Sequence, residues 1–199
     1  MGTATRVLTV SSGGAVTPMF RRNAAGQIVE VMPEQDEYQT PAKGSRARVE
    51  LSGISDTFEM TTQFSDTPVT KVRVEYRIVK GANNTGKLAE GKRFTEIHTW
   101  TIGPKSNLGR LIGALRGAAV APGEAINPDD FIGTTFVTTI STTDDGKWGK
   151  VSPDAIEAGS VKFPAGSALA GASAPAPAAP PAVAAAADED DPFEVDEEI

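Results

Sequence analysis

The sequence predicts a mainly β protein: a five-stranded, partly open barrel with one short helix, followed by a disordered Ala/Pro linker and an acidic tail. Three observations predict it. Apolar and polar residues alternate in segment after segment between Arg46 and Ser152, the pattern of half-buried strands. Helical spacing occurs in one short stretch, where Leu108, Leu111, Ile112 and Leu115 form a single apolar stripe. From residue 164 the composition falls to Ala, Pro and Gly and then to Asp and Glu, which cannot build a core.

Residues 1–44 form an irregular arm. Thr5 to Val10 and Ile28 to Met32 are candidate short strands, Ser11 to Gly14 is a breaker, and Pro33 to Lys43 reads as a connection. In the first strand of the body, Ala47, Val49 and Leu51 share one face and Arg46, Arg48 and Glu50 the other. Gly53 marks a bulge or bend, and the strand then continues from Ile54 to Thr62. Ser65 to Pro68 turn into the central hairpin. Its first strand sets Val72, Val74, Tyr76 and Ile78 against Lys71, Arg73, Glu75 and Arg77. A Gly- and Asn-rich loop leads to the second, Arg93 to Ile102, rich in Thr, Ile, Phe and Trp. Gly103-Pro104 stops it, Ser106 caps a helix over Asn107 to Arg116, and Gly117 closes that helix. Asn127 caps a helical turn that begins at Pro128. Thr134 to Thr142 is a strand, Asp144-Asp145-Gly146 a turn, and Lys147 to Ser152 a last strand. An OB-like (oligonucleotide/oligosaccharide-binding) barrel fits this count. A β-sandwich fits it as well, but a helix set within the strand series favours the barrel.

Charge is unevenly placed. The net charge is −7, yet eight acids lie in the last twelve residues, DEDDPFEVDEEI. The other 18 of the 26 acids face 19 Lys and Arg, so the body is about +1. With no Cys, disulfides, zinc-thiolate sites and thiol catalysis are excluded. The single His98 rules out a histidine cluster, and no cofactor or metal site is expected. No apolar run is long enough to span a bilayer, and MGTATRVLTV lacks the layout of a secretory signal or a myristoylation site. A cytoplasmic protein without membrane partners is the expectation.

No catalytic constellation emerges, so an enzyme is not expected. Gly81 to Leu88, GANNTGKL, matches G-x-x-x-x-G-K, but Leu88 stands where a phosphate loop needs Ser or Thr, and a strand rather than a helix follows. His98 lies among alternating Thr with no nucleophile motif. Asp129-Asp130 and Asp144-Asp145 sit where carboxylates cap helices and form turns. The informative pattern is basic and aromatic. Lys71, Arg73 and Arg77 share a strand face, and Lys87, Lys92 and Arg93 surround the hairpin loop. Trp100 follows on the second strand, and Trp148 lies between Lys147 and Lys150 in a polar, Gly-flanked segment. Cations that neutralise phosphates, with rings on which bases stack, are what single-stranded nucleic acid requires. Phe131 and Phe136 read as core, and Tyr76 falls on the inner face. Arg110 and Arg116, off the helix stripe, are lesser candidates.

Taken together, the chain resembles phage-encoded single-stranded-DNA-binding proteins of the OB-fold, acidic-tail kind. The similarity covers roughly Ser45 to Ser152. It rests on the strand ending Gly53-Ile54-Ser55-Asp56, VRVEYRIVKG, the Gly-Lys loop before RFTEIHTWTI, NLGRLIGALRG, and PDDFIGTTFVTTIST before DGKWGKVS. The tail adds Asp190, Asp191, Pro192 and Phe193, similar to the acidic Pro-Phe peptide by which bacterial single-strand-binding proteins recruit partners. Here EVDEEI follows Phe193, so docking that needs a carboxylate beside the Phe should fail. The resemblance implies a sequence-tolerant single-stranded-DNA-binding protein of phage replication or recombination, possible as a homo-oligomer. Its parts would be an arm (1–44), an OB-like nucleic-acid-binding domain (45–163), a linker (164–187) and a tail (188–199) that recruits replication or recombination proteins and competes with DNA. The alternative is a phage structural or assembly protein with a solubilising acidic tail.

Overall fold

Strand β3, Ser45–Ser55, is the hub of the molecule, because neighbours pair with it on both edges. A computed structural model of the chain describes residues 18–41, 43–62, 65–81, 90–143 and 149–165, with Ser167 and Leu169. Within these, β1 is Met19–Arg22, β2 Ile28–Val31, β4 Phe58–Thr62, β5 Ser65–Gly81, β6 Arg93–Thr99, β7 Thr135–Thr142 and β8 Gly149–Ile156. All pairings among the strands are antiparallel. The path β2-β1-β3-β5-β4 has β6 branching from β5, and β7 followed by β8 branching from β3.

The fold is mainly β with one short α-helix among the described residues, as the alternation predicts. It differs from the expected five-stranded barrel in two respects. Eight strands are described rather than five: the arm contributes β1 and β2, and the segment after the bend becomes a separate β4 folded back on β5. The sheet is also fully open where a partly open barrel is expected, since no described ladder joins β6 to β8. Two single hydrogen bonds reach β6 residues there, one to a backbone carbonyl and one to a side chain. The Gln39 N–H donates to Arg93 O at 2.8 Å, and the Val151 N–H donates to the Glu96 carboxylate at 3.1 Å. Expected boundaries move as well: β6 ends at Thr99 rather than Ile102, and β8 runs on to Ile156.

The period-2 faces become the core. Ala47, Val49, Val72, Val74, Tyr76, Ile78 and Phe136 are fully buried, and Tyr76 stacks on Phe94 with ring centroids 5.1 Å apart. Helix α1, Asn107–Arg116, lays Leu108, Leu111, Ile112 and Leu115 onto this core, against β6 and β8. Its start is fixed by the Ser106 hydroxyl, which accepts from the Gly109 N–H at 3.0 Å. Gly109 is obligatory, because a Cβ there would stand 2.0 Å from Gly103 O. Asn127 caps the Pro128–Phe131 turn by accepting from the Asp129 N–H at 3.2 Å.

The arm joins the sheet through β1, which pairs with β3 and buries Met19. A bulge at Ser52 and the bare backbone of Gly53 make that approach possible, since a Cβ at 53 would lie 3.0 Å from Phe20 O. Phe163 and Leu169 pack on the core, Leu169 within the stretch expected to start the linker. Of the linker, Pro164, Ala165, Ser167 and Leu169 are described; its other residues, the tail, the candidate strand Thr5 to Val10 with the breaker after it, the 82–89 loop and the turn at 144–146 lie outside the described residues. Among those described, no helix is long and apolar enough to cross a membrane.

Candidate nucleic-acid interface

The face of β5 away from the core carries Lys71, Arg73, Glu75 and Arg77, and register aligns each with a residue of β6. Lys71 faces Thr99, Arg73 faces Ile97, Glu75 faces Thr95 and Arg77 faces Arg93. On the other side β4 brings Phe58 opposite Lys71. The Arg73 guanidinium lies 5.9 Å from the centre of the Phe58 ring. Ile97 is 46% exposed and Met60 44%, so β4, β5 and β6 present cations beside apolar side chains on one surface.

The cations predicted from sequence are not equivalent. Lys71 donates to the Thr99 hydroxyl at 2.9 Å and stays at the surface. Arg77 is paired with Glu50 through two of its nitrogens. Lys92 donates to the backbone oxygen of Asp36. Arg93 donates to Glu75 at 3.2 Å and lies 3.8 Å from Glu37, with its side chain only 16% exposed. Lys150 is exposed. Trp100 is half-buried against the core. Lys87, Lys147, Trp148, Asp190, Asp191, Pro192 and Phe193 lie outside the described residues. Arg110 pairs with Asp154 and Arg116 with Glu124.

Beneath the surface sits a polar node that alternation could not reveal. The Glu75 carboxylate, fully buried, accepts from Arg21 Nε at 2.8 Å and Nη2 at 2.7 Å, the Ser52 hydroxyl at 2.8 Å, the Tyr38 hydroxyl at 2.6 Å, and Arg93. Glu37 adds a second carboxylate to Arg21 at 2.8 Å. Burial works against the Arg21 charge, but the hydrogen bonds to Glu75 and Glu37 outweigh it and raise its pKa above the ordinary arginine value. The Arg21 hydrogen bond holds Glu37 below the usual carboxylate range, against a smaller opposing effect of burial. Burial, followed by the Glu75 hydrogen bond, pushes the Tyr38 hydroxyl above the usual phenol range.

This node pins the segment 33–40 beside β6 and forms one wall of a groove of about 890 Å³. Pro33, Tyr38 and Gln39 line it on the arm side, Arg73, Arg93 and Ile97 on the sheet, and Lys150 at the start of β8. Tyr38, Phe58 and Ile97 were not among the residues singled out from sequence. Phe58 alternates with Met60 in a stretch read only as the continuation of the first strand, and Tyr38 sits in a connection without periodicity.

His98 is buried, with Nε2 3.5 Å from the Glu96 carboxylate, in keeping with a packed histidine. No group of three or more His, Asp and Glu among the described residues could hold a metal ion. The arrangement brings together positive charge, an aromatic ring and a groove. Comparison of the chain with known protein families, curated proteins and solved structures finds no match.

Proposed function

We propose that the protein binds single-stranded DNA with little regard to sequence, in phage DNA replication or recombination. The observation that carries this reading is the meeting of half-buried Lys71, Arg73 and Phe58 with exposed Ile97 on one face of the sheet, next to a groove edged by Arg93 and Lys150. Cations there neutralise phosphates and the ring and apolar side chains take base faces, a combination that tolerates any sequence. The strand series supports it. We read β3, β5, β6, β7 and β8, with α1 before β7, as an OB-like barrel opened between β6 and β8, where Glu96 reaches Val151. The tail with Asp190, Asp191, Pro192 and Phe193 recruits replication or recombination proteins and competes with DNA for the cations.

Fluorescence anisotropy of a labelled oligo(dT) tests the reading. Binding should be firm at about 50 mM salt and fall steeply by about 200 mM. If neither the full chain nor a chain lacking residues 186–199 binds at the lower salt, the reading fails.

A second reading, a phage structural or assembly protein, is favoured by the internal pairing of Arg77 with Glu50 and of Arg93 with Glu75, and by the exposure of Met32, Met60 and Ile97. It calls for self-association in light scattering without oligonucleotide binding.

A further inference from the structure

The geometry points to a nucleobase subsite in the groove beside β6, with the Tyr38 ring as its stacking wall and Arg73, Arg93 and Lys150 as its phosphate contacts. This rests on the nucleic-acid reading above and names the point on the surface where a nucleotide leaves the sheet to be held individually. Tyr38 is anchored at both ends. Its hydroxyl donates to buried Glu75 at 2.6 Å, and the next residue, Gln39, is tied through its N–H to Arg93 O at 2.8 Å. The turn just before it is held as well, by Lys92 on Asp36 O and by Arg21 on Glu37. An aromatic ring fixed before the ligand arrives loses little freedom on binding, so its stacking contribution is kept. The ring stays half-buried and lines the groove, whereas Tyr76, the other tyrosine, is fully buried.

The remaining lining suits a nucleotide. The volume, about 890 Å³, falls within the range of small-ligand clefts. The side-chain amides of Gln35, Gln39 and Asn107 can each donate and accept, which accommodates any base edge without selecting one. An extended peptide adding along the whole β6 edge fits less well, because the Gln39 N–H already takes the Arg93 carbonyl at one end of that edge.

The test uses the full chain and an oligo(dT) carrying 5-iodouracil, irradiated and then digested with trypsin. The tryptic peptide 23–43 contains Tyr38 as its one aromatic residue. We expect a nucleotide adduct on that peptide. Tyr38→Leu should weaken oligo(dT) binding about tenfold, and Tyr38→Phe, which keeps the ring, should stay within about twofold. Oligonucleotide that binds without an adduct on 23–43 overturns the subsite alone, and a groove reserved for peptides would give that result. A Phe variant as weak as the Leu variant, or a Leu variant as strong as wild type, also overturns it. If Tyr38→Leu fails to fold, the adduct on the wild-type chain and the Phe variant still decide. A wild-type chain that ignores the oligonucleotide removes the nucleic-acid reading, and the subsite with it.

Discussion

Glu75 is the residue on which the arrangement of the surface turns. Its carboxylate is fully buried and neutralises Arg21 and part of Arg93, so removing its charge leaves two largely buried guanidinium groups with only the part-exposed Glu37. Glu75→Gln should destabilise the fold by about 3–5 kcal/mol in urea unfolding, the cost of breaking a buried pair from one side. A loss below about 1 kcal/mol would mean that Glu37 alone holds the arginines. Two half-buried arginines of β5 separate binding from structure. Arg73→Ala should weaken oligo(dT) binding and lower the salt slope by about 1, while Arg77→Ala, already paired with Glu50, should do less. At this scale the core was legible. Val72, Val74, Tyr76 and Ile78 alternate with charged neighbours and all are buried. Glu75 was not legible, because alternation assigns it to the solvent side. Its burial comes from Arg21 and Tyr38, 54 and 37 residues away in the chain.

Among the elements, α1 was the easiest to read, since its stripe, Ser106 cap and closing Gly117 are all local signals. What fixes its place is Gly109, pressed against the backbone of Gly103. Gly109→Ala gains intrinsic helix propensity yet should cost about 3 kcal/mol, the upper end of overpacking, because the opposing atoms are backbone. Calorimetry should show Tm falling by roughly 6–12 °C. The 33–40 segment behaves differently, being held by charge. Glu37 has a folded-state pKa below its unfolded one, so its contribution is present above the unfolded pKa and is lost as pH falls through the folded value. Stability of the wild type and of Glu37→Gln should therefore differ at neutral pH and converge on acidification below the ordinary carboxylate range. Parallel curves in a pH series of thermal melts would remove Glu37 from the clamp. The strand β4 was misplaced as a continuation of β3 because its own alternation, Phe58 and Met60, looks the same whichever face it presents.

For the whole molecule, the proposed competition between tail and DNA has a clear consequence. A body of about +1 faces eight tail acids on the same chain, at a high effective concentration. Deleting residues 186–199 should tighten oligo(dT) binding several-fold at about 50 mM salt and hardly at all near 200 mM, where screening has removed the competitor. No gain at the lower salt would end the competition idea. By itself the sequence determined the β character, the buried faces, the helix with its caps and the asymmetry of charge. Each of these is written in residues close together in the chain, through period, capping chemistry or composition. Only the tertiary structure decided that the sheet stays open, that part of the arm joins it, and that Arg77 and Arg93 are partly spent on internal carboxylates while Tyr38 is fixed beside a groove. Those outcomes depend on which distant strand edges and charges meet, and pairing across such separations leaves no periodic trace in the chain.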